Sequence, residues 1–90
     1  MKYVLFYDSD PDGITKAPLH FPAHFARLQE FHARGELLMV GAFSRPVEEG
    51  SMAIFATRDA AEAFAKDDPF VLNGVVRAWH LREWNEVLEP

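Results

Sequence analysis

The order of strand-like and helix-like runs constrains this chain more than any other feature. Aromatic and β-branched residues predict strands at Lys2–Tyr7, Leu37–Phe43, Ser51–Ala56 and Val75 to about Trp84. Helical patterns lie between the first and second strands and between the third and fourth. The order βαββαβ predicts an α+β fold with a four-stranded antiparallel sheet and two helices on one face. With 90 residues, the chain is expected to form a single domain, 1–90.

Three of the predicted strands carry apolar residues toward both faces of the sheet. A sheet with one solvated face normally alternates apolar and polar residues. The runs Tyr3–Tyr7, Leu37–Val40 and Met52–Ala56 do not alternate in this way. Because the helices of this topology cover only one face, we expect a second copy of the chain to cover the other. The sequence therefore predicts a homodimer or a higher homo-oligomer that associates through the sheet face.

The first predicted helix, Pro22–Gly35, has a histidine inside its apolar stripe. Pro22 suits the first helical position, and Gly35 suits the residue just past the end. At about 100° per residue, His24 falls on the same face as Leu28. A buried imidazole needs a hydrogen-bond partner, because an unpaired one costs about 1–3 kcal/mol. His24 is therefore the main candidate for chemistry, and a hydrogen-bonded core histidine is the alternative.

Asp68 is the expected partner of His24. It follows a predicted helix that runs from an N-cap at Thr57 to about Asp67, and Pro69 after it begins one more helical turn. An aspartate bound to one imidazole nitrogen fixes the tautomer and leaves the other nitrogen free to exchange protons. No serine or cysteine stands out as a nucleophile, so the pair suits proton abstraction, proton donation or elimination. A plain N-cap is the alternative role of Asp68, and the two roles are compatible.

The other histidines are weaker candidates. The spacing of four between His20 and His24 could chelate a metal ion on a helix. Pro22 between them indicates that His20 precedes the regular helix, so we expect no metal site. His32 is expected to be a solvated cation at the helix end. His80 is expected on the last strand, at the surface or against a second sheet.

Two loops could contribute to a site. The segment Asp8–Pro18 is long for a connection, and long loops are often functional. The segment Ser44–Gly50 is polar and rich in turn-forming residues. Arg45 could hold an anionic substrate there, but we expect it and Ser44 to be solvated.

Charge and composition exclude several classes of partner. The net charge is −5 and no basic cluster occurs, so neither nucleic acid nor an anionic membrane is expected to bind. The absence of cysteine excludes disulfides and thiolate metal sites, and it fits a reducing cytoplasm. The first apolar run is too short for a signal peptide, and no run is long enough to span a membrane. We therefore expect a cytoplasmic protein.

The motifs named above, taken in order, resemble those of the YCII family of small bacterial proteins. The matching segments are Pro22–Leu28, Gly35–Leu38, Gly41 and Asp68–Phe70. The resemblance implies a ferredoxin-like fold that assembles as a dimeric α/β barrel, with His24 and Asp68 as a catalytic pair in a cleft. Two positions depart from the family pattern. Phe21 stands where an arginine often precedes the histidine by three, and Ala42 stands where a proline often follows the glycine.

The resemblance also implies a class of reaction. One member of the family is a dehydrochlorinase of chloroaromatic breakdown, and the wider barrel group includes muconolactone isomerases and cofactor-free monooxygenases. The enzyme hypothesis is therefore a cofactor-independent lyase or isomerase, with His24 as general acid/base and Asp68 as its orienting group. The alternative is a non-catalytic module that binds a small ligand or serves in assembly. An open cavity at the free nitrogen of His24 favours the enzyme, and a filled one favours the module.

Overall fold

The four predicted strands form one antiparallel sheet. A computed structural model describes residues 1–90. The strands are β1 (Lys2–Ser9), β2 (Leu37–Ala42), β3 (Ser51–Phe55) and β4 (Val76–Trp84), in the spatial order β2-β3-β1-β4. Every neighbouring pair is antiparallel. This confirms the predicted α+β, ferredoxin-like architecture, with β2 and β3 as a hairpin and β1 inside the sheet.

The helices bury one face of the sheet. They are α1 (Ala17–Ala33), α2 (Pro46–Glu49), α3 (Arg58–Asp67) and α4 (Pro69–Leu72). The core forms where α1 and α3 meet the sheet, and Phe31 of α1 contacts Phe64 of α3 edge-on with ring centroids 5.2 Å apart. Leu5 and Phe55 contribute from the central strands. No helix combines the length and the apolar character needed to cross a bilayer.

Helix α1 begins five residues earlier than predicted. It starts at Ala17 with Pro18 in its first turn, and Pro22 lies inside the helix. A proline at that place removes one backbone hydrogen bond, the one that would reach the carbonyl of Pro18. Pro18 and Pro22 are both exposed, so solvent can satisfy that carbonyl and we expect the loss to be small. The predicted start was wrong because Pro22 suits an exposed interior turn as well as a helix start.

The loop between β2 and β3 contains a helix that the sequence pattern did not predict. Four residues form α2, which ends at Gly50 with a φ of 77°. A Cβ at Gly50 would lie 2.0 Å from the carbonyl oxygen of Tyr7. Only glycine allows both the positive φ and this close approach. The contact holds α2 and the start of β3 against the end of β1, and these elements build one side of the site described below.

The opposite face of the sheet carries apolar side chains. Alternation along the strands directs Phe6 away from the core, and its register partners are Met52 on β3 and His80 on β4. His80 stacks on Phe6 with ring centroids 5.0 Å apart. On the edge strand β2, Met39 is 68% exposed. The two-sided apolar character predicted from the sequence is therefore present in the structure.

Candidate functional site

His24 and Asp68 are in direct contact. His24 lies on the buried side of α1, and Asp68 ends α3 and precedes α4. The Nδ1 atom of His24 is 2.7 Å from Oδ1 of Asp68, and the two side chains are 11% and 0% exposed. The predicted contact is therefore present, within ordinary hydrogen-bond distance.

Asp68 also serves as the N-cap of α4. Its backbone is extended, with φ −69° and ψ 125°, so α3 stops there and α4 starts at Pro69. Oδ1 accepts a hydrogen bond from the backbone N–H of Phe70 at 3.1 Å. The capping role and the histidine contact thus coexist, as the two-role interpretation of Asp68 requires. The cap fixes the carboxylate on a rigid turn, and this fixes where His24 can bind it.

Tyr7 is a third member of this group, and sequence reasoning missed it. Its hydroxyl donates to Oδ2 of Asp68 at 2.6 Å, and the residue is 7% exposed. Burial raises the pKa of the Tyr7 phenol well above its ordinary value, and the charge of Asp68 raises it further. Tyr7 therefore remains a hydrogen-bond donor at neutral pH. Its alternation with Leu5, two residues earlier on β1, could have placed it on the core face, but an aromatic residue in an apolar strand gave no reason to expect a polar partner.

The contacts of Asp68 determine which nitrogen of His24 is free. A buried carboxylate that accepts from Tyr7 and from the Phe70 N–H acts as an acceptor toward His24 too, so the hydrogen lies on Nδ1. Nε2 of the neutral ring then keeps its lone pair. It has no hydrogen-bond partner in the protein and is not sealed from solvent. The ring of Phe70 stacks on the imidazole at 3.9 Å with an angle of 4° between the planes, which holds the ring orientation.

A pocket of about 390 Å³ lies beside His24. Its lining comes from the end of β1 and the loop after it, from α1, from the β2–β3 hairpin with α2, and from α4 and the start of β4. Tyr7, His24 and Phe70 all line it, so His24 faces this space, while the fully buried Asp68 does not line it. Most of the lining is apolar, and the pocket is large enough for a small organic molecule.

The remaining sequence candidates lie outside this arrangement. His20 lies within α1 rather than before it, so the argument from Pro22 was wrong on this point. His32 is exposed near the end of α1, and His80 lies on the other face of the sheet. Arg45 does not line the pocket, and its guanidinium lies 3.8 Å from a carboxylate oxygen of Glu49. No group of three or more His, Cys, Asp or Glu side chains is arranged to hold a metal ion.

Comparison with known sequences finds relatives along almost the whole chain. The profile of the YCII-related domain family matches residues 1–85. Protein YciI of Escherichia coli O6:H1 is 32% identical over 97 aligned positions, covering 97% of this chain and 99% of the relative. Protein YciI of Shigella flexneri gives the same identity and coverage.

A solved structure with the same fold is an enzyme. It is the 5-chloro-2-hydroxyhydroquinone dehydrochlorinase of Burkholderia phenoliruptrix AC1100, in complex with 2,5-dihydroxybenzoquinone. The two chains superpose with a TM-score of 0.75, and the match covers 94% of each chain. At 20% identity, this likeness establishes the shared fold.

Proposed function

Since this chain belongs to the family of proteins with a YCII-related domain, we propose that it is a small-molecule enzyme that moves a proton with His24. Asp68 orients the imidazole, and the chemistry is that of a lyase or an isomerase and needs no cofactor. The observation that supports this most strongly is the free Nε2 of a fixed imidazole beside an apolar pocket. A histidine that only stabilised the core would be expected to pack against other side chains rather than to line an open pocket.

The contacts of the pair support a general-base role in particular. Asp68 holds the hydrogen of the neutral ring on Nδ1, so Nε2 accepts the proton of a bound molecule. The imidazolium that forms is stabilised by the adjacent carboxylate, which is already desolvated and needs no rearrangement. Tyr7 holds the second carboxylate oxygen and keeps the carboxylate from turning toward the pocket. The same imidazolium can return the proton to another atom of the substrate, as an isomerase or a lyase requires.

Elimination of hydrogen chloride from a ring is the reaction we propose to test first. The structural neighbour is a dehydrochlorinase, and its bound molecule is a hydroxylated quinone ring. Removal of hydrogen chloride from a chlorinated hydroquinone needs a base that takes the proton, while chloride leaves with the electron pair of its bond to carbon, and His24 beside the apolar pocket supplies that base. The open pocket also favours a ligand site over a purely structural assembly module.

Release of chloride tests the proposal directly. The purified chain is incubated with 5-chloro-2-hydroxyhydroquinone, the compound named for the neighbour, and free chloride is followed with time. We expect release in proportion to protein concentration and above the spontaneous rate. A wild-type chain that leaves the spontaneous rate of chloride release unchanged would contradict the proposed elimination.

We also propose that two copies of the chain associate through the uncovered sheet face. Phe6, Met52 and Ile54 lie on that face at adjacent register positions, and an apolar area of this kind favours burial in an interface. Sedimentation velocity at micromolar concentration should give about twice the 10.2 kDa chain mass or a multiple of it. The substitution Ile54→Lys should give the monomer, while Leu72→Lys, at the exposed last residue of α4, should not. A wild-type monomer would contradict this assembly.

A further inference from the structure

The wall of the pocket beside His24 is aromatic and only half covered. Phe21 and Phe25 lie one turn apart on α1 and stack with ring centroids 5.5 Å apart. They are 49% and 44% exposed, although large aromatic side chains are normally well buried. Phe21 also lies 6.3 Å from the ring of His24 and 6.4 Å from that of Phe70. The phenyl faces that line the pocket are therefore free to contact a ligand next to the imidazole.

The same pocket has no fixed positive charge. No lysine or arginine is among its lining residues, and Asp10 is the only acidic side chain among them. Oδ1 of Asp10 accepts from the backbone N–H of Asp12 at 2.9 Å, which fixes the carboxylate on the loop after β1. Arg27 of α1 donates instead to the backbone carbonyls of Ala63 and Phe64, at 3.2 and 3.1 Å. The guanidinium of Arg27 therefore binds the C-terminal half of α3, and Arg27 is not among the residues that line the pocket.

We propose that this pocket binds an uncharged planar aromatic ring and rejects a carboxylate of the same shape. The inference rests on the proposed function and specifies its substrate class. A ring gains contact with the free faces of Phe21 and Phe25. A carboxylate would lose its hydration in an apolar site without a cation, and it would also be repelled by Asp10. The pocket would then discriminate against the carboxylate because it offers no cation and because Asp10 is also negative, and the size of the pocket would play no part.

An isosteric pair of probes tests this selectivity. The probes are 4-hydroxybenzamide and 4-hydroxybenzoate, which have the same ring and nearly the same shape and differ in charge. Binding to the intact chain is measured at neutral pH by titration, with the imidazole resonances of His24 followed by NMR. We expect 4-hydroxybenzamide to shift the His24 resonances and to bind at least about tenfold more tightly than 4-hydroxybenzoate.

Two substitutions separate the charge effect from the ring effect. Asp10→Asn keeps the oxygen that accepts from the backbone N–H of Asp12. It removes the repulsion between Asp10 and the benzoate, so the affinities of the two probes should become more similar. Phe21→Leu keeps an apolar side chain but removes the ring face, so it should weaken the amide several-fold. His32→Ala, at an exposed position outside this pocket, is the matched control and should leave both affinities unchanged.

The outcomes distinguish this inference from the proposed function. Equal binding of the two probes at His24, or tighter binding of the benzoate, would overturn the selectivity and leave the proton-transfer site intact. Failure of both probes to bind or to shift the His24 resonances would overturn the aromatic pocket together with the ring reaction proposed for it. Tighter binding of the amide that is insensitive to Phe21→Leu and Asp10→Asn would also overturn the inference, since other residues would then determine the preference.

Discussion

Replacing His24 with alanine should lower the rate of chloride release by about 10²–10⁴-fold, the usual contribution of a positioned general base. The physical reason is that Asp68 holds one nitrogen of the His24 ring, so the other nitrogen, Nε2, keeps a lone pair beside the pocket. Asp68→Asn should lower the rate by a smaller but comparable factor, because a neutral amide stabilises the imidazolium less than the carboxylate does. The measurement is kcat/KM for each variant in the chloride assay.

The double variant and a distant histidine provide the controls. Because His24 and Asp68 act as one unit, the double variant should be no slower than about the slower single variant. His32→Ala should retain the full rate, since His32 is exposed near the end of the same helix and does not line the pocket. A His24→Ala variant within about threefold of wild type would show that another group moves the proton.

Asp68→Ala should destabilise the fold by about 3–5 kcal/mol, because each buried donor that loses its acceptor costs about 1–3 kcal/mol. Three donors lose their acceptor at once: Nδ1 of His24, the hydroxyl of Tyr7 and the backbone N–H of Phe70. The residue has 0% exposure, so water reaches these groups only if the turn between α3 and α4 opens. Urea denaturation at 25 °C measures the loss, which is a large part of the total stability of a small domain.

Matched variants show whether the loss of stability in Asp68→Ala comes from the missing carboxylate or from the smaller side-chain volume. Asp68→Asn keeps an oxygen for the Phe70 N–H and an amide that can donate to Tyr7, so its loss should be about 1 kcal/mol. Tyr7→Phe leaves one carboxylate oxygen without a protein donor and should cost about 1–3 kcal/mol. The carboxylate of Asp68 is expected to hold β1, α1 and α4 together through these three donors. An Asp68→Ala variant as stable as Asp68→Asn would contradict this expectation.

Much of the fold could be predicted because its local signals agree with its topology. Thr57 reads as an N-cap in the sequence, and in the structure its hydroxyl oxygen accepts from the N–H of Ala60 at 3.1 Å. Asp68 followed by Pro69 likewise predicts the break between α3 and α4. Both features depend on residues close in the chain, which sequence patterns describe well.

The parts that could not be predicted depend on contacts distant in the chain. Tyr7 is 61 residues from Asp68, and nothing in an apolar strand indicates that its hydroxyl meets a carboxylate. The start of α1 was misplaced because the local rule for proline cannot tell an exposed interior turn from a helix start. The pocket itself arises where a loop, a helix and a hairpin meet, and only the packed chain shows that this space is left unfilled.

The tautomer of His24 tests the central claim most directly. Long-range proton–nitrogen NMR of the histidine ring, recorded on the neutral form, distinguishes a protonated ring nitrogen from one with a free lone pair. The structure predicts a hydrogen on Nδ1, bound to Asp68, and a bare Nε2 in the pocket. A hydrogen on Nε2 with a bare Nδ1 would mean that Asp68 does not orient the ring. His24 would then not be the base that the proposed function requires.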